Sequence, residues 1–93
     1  MPRHIDELRQ EINQIDEQLV ALIEARMEVA QDVAAYKKAN DLPVFDEARE
    51  KEVIKKNVSL LENQALYGPG YREIIQKIMD VSKDIQRELL SKE

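Results

Sequence analysis

Two cations share one face of a long predicted helix. Arg26 and Lys37 lie 11 residues apart, close to three full turns, so both project from nearly the same side. Arg26 also falls in line with Ile5, Leu8, Ile12, Ile15, Leu19, Leu22, Val29, Val33 and Tyr36, where another aliphatic residue is expected. Two readings fit. A polar residue in an apolar stripe can fix the register of a helix pair. Alternatively, both cations face a bundle interior, where they repel and are costly to desolvate unless an anion lies between them. Lys37, near a helix end, could also extend its ammonium to water. Ser82 and Gln86 raise the same question one turn apart, in line with Ile75, Met79 and Leu89. The bland reading is a hydrogen-bonded core pair, or a Gln86 that simply lies at the edge of the stripe. Arg9 stands 17 residues before Arg26, about 100° around the helix. It cannot easily join Arg26 of its own chain, but in a two-fold dimer it could reach the partner's site.

These residue types bind anions and stabilise negative charge that develops during a reaction. Other chemistries leave no trace. There is no carboxylate pair, nucleophile–base arrangement, glycine-rich phosphate loop or metal-ligand spacing. Cysteine is absent, which removes disulfides and thiolate metal sites, and the lone histidine, His4, reads as a surface residue near the terminus. The expectation is a site without metal or cofactor.

The elements that must position these residues are helices. Of the 93 residues only two are glycine and three proline; the rest is rich in Ala, Leu, Ile, Val, Glu, Lys, Gln and Arg. With 43% hydrophobic and 35% charged residues, the chain has enough apolar surface to fold, as one domain over 1–93. A formal net charge of −5 argues against nucleic acid, so an anionic ligand must be met by a local cluster of cations. No apolar run could span a bilayer and no signal-peptide pattern opens the chain, so the expected location is cytoplasmic.

The apolar spacing of three and four predicts a first helix over about 4–39, ended by Asn40-Asp41-Leu42-Pro43. Asp46 reads as the N-cap of a second helix, supported by Glu47 and running to about 66 through Val53, Ile54, Val58, Leu60 and Leu61. Gly68-Pro69-Gly70 reads as a breaker before a third helix over about 71–90. The class is all-α, three helices with one very long. A helix of some 35 residues is about 52 Å long, whereas a compact domain of this size is only about 30 Å across. An apolar stripe running past its own fold calls for a second copy, hence an intertwined homodimeric bundle.

Taken in order, Leu8-Arg9, Ile12, Ile15-Asp16, Leu19-Val20, Leu22-Ile23, Arg26, Val33, Lys37, Leu42-Pro43-Val44, Asp46, Arg49-Glu50, Ser82 and Gln86 form a signature. It resembles that of the all-helical chorismate mutases, including the mutase domains fused to prephenate dehydratase or dehydrogenase. The likeness covers residues 5 to about 90. It implies an isomerase of aromatic amino-acid biosynthesis that turns chorismate into prephenate. It also implies roles: Arg26 and the partner's Arg9 on carboxylates, Lys37 on a carboxylate and the ether oxygen, and Gln86 on the ether oxygen. Glu50 and the backbone near Asp46 would hold the ring hydroxyl, with Arg49 and Ser82 supporting carboxylate binding and site geometry. Lys83 departs from the pattern, since a more apolar pocket wall is expected there.

Two other readings stand beside this one. An isochorismate–pyruvate lyase shares the fold and the cation pattern, and the full set with Asp46, Arg49 and Glu50 favours the mutase over it. A non-catalytic helical interaction module would tolerate apolar residues at Arg26, Lys37 and Gln86.

Overall fold

The computed structural model describes residues 3–91. Three helices account for nearly all of them: α1 (Ile5–Ala39), α2 (Glu47–Ser59) and α3 (Gln64–Ser91). Both α1 and α2 pack against α3. Among the described residues no helix is long and apolar enough to cross a membrane.

The first helix begins and ends where local chemistry dictates. His4 is its N-cap, with Nδ1 accepting from the Asp6 N–H at 3.1 Å, and Asp6 and Glu7 sit in the first turn against the helix dipole. At the other end Asp41 takes a left-handed backbone (φ 54°). The Asp41 and Leu42 N–H groups then donate to the carbonyls of Lys38 and Lys37, at 3.2 and 2.8 Å. That is a Schellman closure with aspartate where glycine is usual. Asp46 caps α2 as expected, accepting from the Arg49 N–H at 3.0 Å.

The boundary between α2 and α3 differs from the sequence expectation. The second helix stops at Ser59 rather than near 66, and α3 starts at Gln64 rather than 71, so Gly68-Pro69-Gly70 lies inside a helix. Asn63 is the reason for the early start: its Oδ1 accepts from the Leu66 N–H at 3.0 Å and its carbonyl from Tyr67. Pro69 forfeits one intrahelical hydrogen bond, but the usual clash with the preceding residue's Cβ is missing because that residue is Gly68.

The small core joins Val53 of α2 to Ile75 and Met79 of α3, with Ile54, Tyr71 and Ile78 packed against it. Tyr71 donates its hydroxyl proton to Asn57 Oδ1 at 2.9 Å. On α1 only Ala30 and Ala34 are buried, small residues that let α3 approach closely. The long aliphatic stripe is therefore not the face that packs within the chain. Ile12, Ile15, Leu19 and Leu22 are 56%, 60%, 49% and 68% exposed, and nothing among the described residues covers them. Extents of 58 × 27 × 15 Å and a radius of gyration of 16.8 Å describe an elongated body. A compact chain of this length would have a radius near 12 Å.

Candidate active site

A cavity of about 300 Å³ opens where the last third of α1, the start of α2 and the second half of α3 converge. It lies in the size range of small-ligand sites. From α1 come Arg26, Val29, Ala30, Val33 and Lys37; Val44 follows from the connection; α2 and its cap supply Asp46, Arg49, Glu50 and Val53; α3 supplies Met79, Ser82, Lys83 and Gln86. Seven of the eight residues singled out in the sequence thus line one cavity. The eighth, Arg9, does not: it lies far up α1, exposed, with Nη1 4.0 Å from Asp6 Oδ1.

Helical repeat explains the convergence. Arg26, Ala30, Val33 and Lys37 follow at spacings of four, three and four on α1, and Met79, Ser82 and Gln86 at three and four on α3. The Asp46 cap sets the first turn of α2 so that Glu50 faces α3. Four cationic side chains meet two carboxylates in the lining, although the chain as a whole carries −5. Such a local reversal of sign attracts an anion.

The individual groups differ in how far they are committed. Arg26 is half-buried and has no ion-pair partner among the described residues. A guanidinium left so offers its full fork to a carboxylate. Lys37 donates from Nζ to the Val44 carbonyl oxygen at 2.6 Å, which tethers the connection to α1. An ammonium has three N–H donors, so two remain. Arg49 turns outward, with Nη1 2.7 Å from Glu52 Oε1, and both side chains are well exposed. Gln86 and Ser82 are buried and donate–accept across 3.2 Å, from Nε2 to Oγ, while Gln86 Oε1 has no protein partner. The two residues thus form the hydrogen-bonded core pair, with one acceptor left over. Turning the amide over would let the Ser82 hydroxyl donate to Oε1 and point the Nε2 donors into the cavity.

Lys83 is the participant that sequence reasoning did not assign. Its Nζ is 2.8 Å from Glu50 Oε2 and 3.4 Å from Asp80 Oδ1, and lies 4.7 Å above the Phe45 ring. The hydrogen bond to Glu50 raises its pKa, keeping the ammonium charged. Gln76 donates to Glu50 Oε1 at 3.1 Å and to Asp80 Oδ1 at 3.0 Å. That hydrogen bond, then Lys83, holds the Asp80 carboxyl below its ordinary pKa. The sequence carried no signal for this role beyond the unexpected charge at that position, because the contact depends on how α3 meets the acidic start of α2.

The fold is all-helical, and its small cavity is lined by four cationic side chains, two carboxylates and the neutral polar pair Ser82 and Gln86. The family model for chorismate mutase type II matches residues 8–87, and the chain belongs to that family. It is 32% identical over 91 residues to a bifunctional chorismate mutase/prephenate dehydratase from Aquifex aeolicus, covering 88% of this chain and 25% of that protein. A secreted chorismate mutase from Yersinia pestis is 32% identical over 69 residues, covering 74% of this chain and 37% of the other. The chain thus spans well under half the length of these curated relatives. A solved structure, a conserved hypothetical protein from Pyrococcus furiosus, is 36% identical with a TM-score of 0.74, covering 92% of this chain and 99% of that one.

Proposed function

We propose that the chain converts chorismate into prephenate, as a homodimer whose two sites each borrow Arg9 from the partner. The observation that carries this reading is the cavity, which gathers Arg26, Lys37, Asp46, Arg49, Glu50, Ser82 and Gln86 within a family of chorismate mutases.

The reaction explains the lining. Chorismate carries two carboxylates and an enol ether, and its rearrangement is an intramolecular shift that abstracts no proton and needs no nucleophile. The protein must hold a flexible dianion in its compact conformer, an effect of orientation. It must also stabilise negative charge growing on the ether oxygen as the bond to carbon breaks. Arg26 takes one carboxylate by its fork and the partner's Arg9 takes the other. Lys37 and Gln86 serve the ether oxygen, Lys37 with a point charge and Gln86 with a neutral donor. Glu50 and the backbone at Asp46 receive the ring hydroxyl, while Arg49 and Ser82 back the carboxylates and the site's geometry. No step uses a metal or cofactor.

The dimer rests on the uncovered stripe of α1. Pairing two such helices would bury Ile12, Ile15, Leu19 and Leu22 of each chain, at about 1.5–3 kcal/mol for each side chain removed from water. It would also carry Arg9 toward a neighbour's cavity. A cytoplasmic location is part of this proposal, and cell fractionation decides it, since one relative is described as secreted. Incubating the purified chain with chorismate and identifying the product tests the activity. Prephenate is expected; untouched chorismate, with isochorismate split into salicylate and pyruvate, would assign the lyase reaction instead.

A further inference from the structure

We propose that Lys83 is a positioning residue for substrate binding, acting through Glu50 by neutralising and fixing that carboxylate in the wall of the cavity. The inference rests on the proposed function and extends it to a residue that reading leaves without a role. A dianion entering the cavity must settle beside Glu50, a carboxylate whose side chain is only 15% exposed. Left alone, that charge would repel the ligand and be free to swing. Both of its oxygens are instead held, Oε2 by Lys83 at 2.8 Å and Oε1 by Gln76 at 3.1 Å. Each oxygen keeps a lone pair, so Glu50 stays an acceptor for a ligand hydroxyl while its charge is balanced.

The Lys83 ammonium is itself committed, between Glu50, Asp80 and the face of Phe45. It lines the cavity too, but its shortest contact there is Glu50, through which it is placed to act on the ligand. The site would accordingly select a dianion bearing a hydroxyl donor on the side that meets α2.

Steady-state kinetics with chorismate on the wild type, Lys83→Met, Lys83→Arg, Glu50→Gln and the Lys83→Met/Glu50→Gln double variant test this. Lys83→Met is expected to raise KM about tenfold with kcat within about threefold, the pattern of lost uniform binding. Lys83→Arg should restore most of that loss, because a guanidinium still pairs with Glu50. In the Glu50→Gln background, where no charge is left to offset, adding Lys83→Met should change KM by less than about twofold. An equal rise in KM in both backgrounds would overturn the proposal by showing that Lys83 acts independently of Glu50. So would a folded Lys83→Met protein with unchanged KM. If Lys83→Met alone does not fold, the double variant leaves no bare carboxylate and is compared with Glu50→Gln directly. A wild-type chain that leaves chorismate untouched defeats the proposed function itself, and this inference with it.

Discussion

Replacing Lys37 by methionine keeps the stem of the side chain and removes its charge, which separates chemistry from packing. Two losses are expected, one read from the structure and one from the proposed role. The first is the 2.6 Å hydrogen bond to the Val44 carbonyl, which ties the connection before α2 to α1. A hydrogen bond to a charged group contributes about 1.5–3 kcal/mol, and the half-buried setting of Lys37 puts this one at the lower end. At roughly 4–8 °C per kcal/mol for a chain of this size, melting falls visibly without abolishing the fold. The second loss is the donor assigned to the ether oxygen. Removing one such preorganised donor lowers turnover about 10²–10³-fold, or about 2.7–4 kcal/mol in the barrier. Chorismate disappearance followed by absorbance, with melting of the same sample followed by circular dichroism, reads both. A drop in kcat of at least 10²-fold in a protein that is still helical is expected. Near-normal kcat in that folded protein would refute the assignment of Lys37.

Gln86→Glu should give an enzyme active only toward acid pH, because only the protonated carboxyl can donate to the ether oxygen; an unchanged pH–rate profile would remove Gln86 from that role. Gly70→Ala should stabilise the protein by about 1 kcal/mol, since Gly70 lies inside α3 with nothing within 4 Å of an added Cβ. Leu19→Glu should split the dimer at micromolar concentration, read by sedimentation equilibrium, whereas a folded wild-type monomer under those conditions would refute the dimer. Stability should be flat across neutral pH. The Asp80 contribution is present above its ordinary pKa of 3.8 and lost as pH falls through its lowered folded value, and that of Lys83 is present below 10.5 and lost as pH rises through its raised one. Thermal melts across pH check this, and a steep change in Tm between pH 6 and 8 would contradict it.

Much of the fold was legible because α1 repeats apolar residues at three and four over its whole length, and because Asp46 is a strong cap. The second boundary was not. Gly68-Pro69-Gly70 has the composition of a turn, and only the Asn63 cap, together with a glycine before the proline, lets a helix run through it. The face that packs within the chain was also hidden, since alanines at 30 and 34 carry no weight in an aliphatic stripe yet are the buried residues of α1. Arg26, Lys37, Ser82 and Gln86 were legible as polar residues on two helical faces, whereas Asp46 showed only as a cap and Arg49 and Glu50 only through the family resemblance. Lys83 could be marked only as a departure, because its meaning depends on how α2 meets α3, a tertiary fact that no spacing on one helix contains. His4 reads as a bland terminal residue until its ring nitrogen is seen to cap α1.

The most direct test is to build one site from two defective chains. Arg9→Ala and Arg26→Ala variants are each expected to be nearly inactive. Unfolded together in equal amounts and refolded, they should form mixed dimers in half of all pairs, each with one intact site joining the Arg26 of one chain to the Arg9 of the other. Chorismate turnover should then return to about a quarter of the wild-type rate, as statistical pairing of two-fold dimers requires. No recovery in a mixture that demonstrably contains mixed dimers would contradict a chorismate mutase site shared between two copies of this chain.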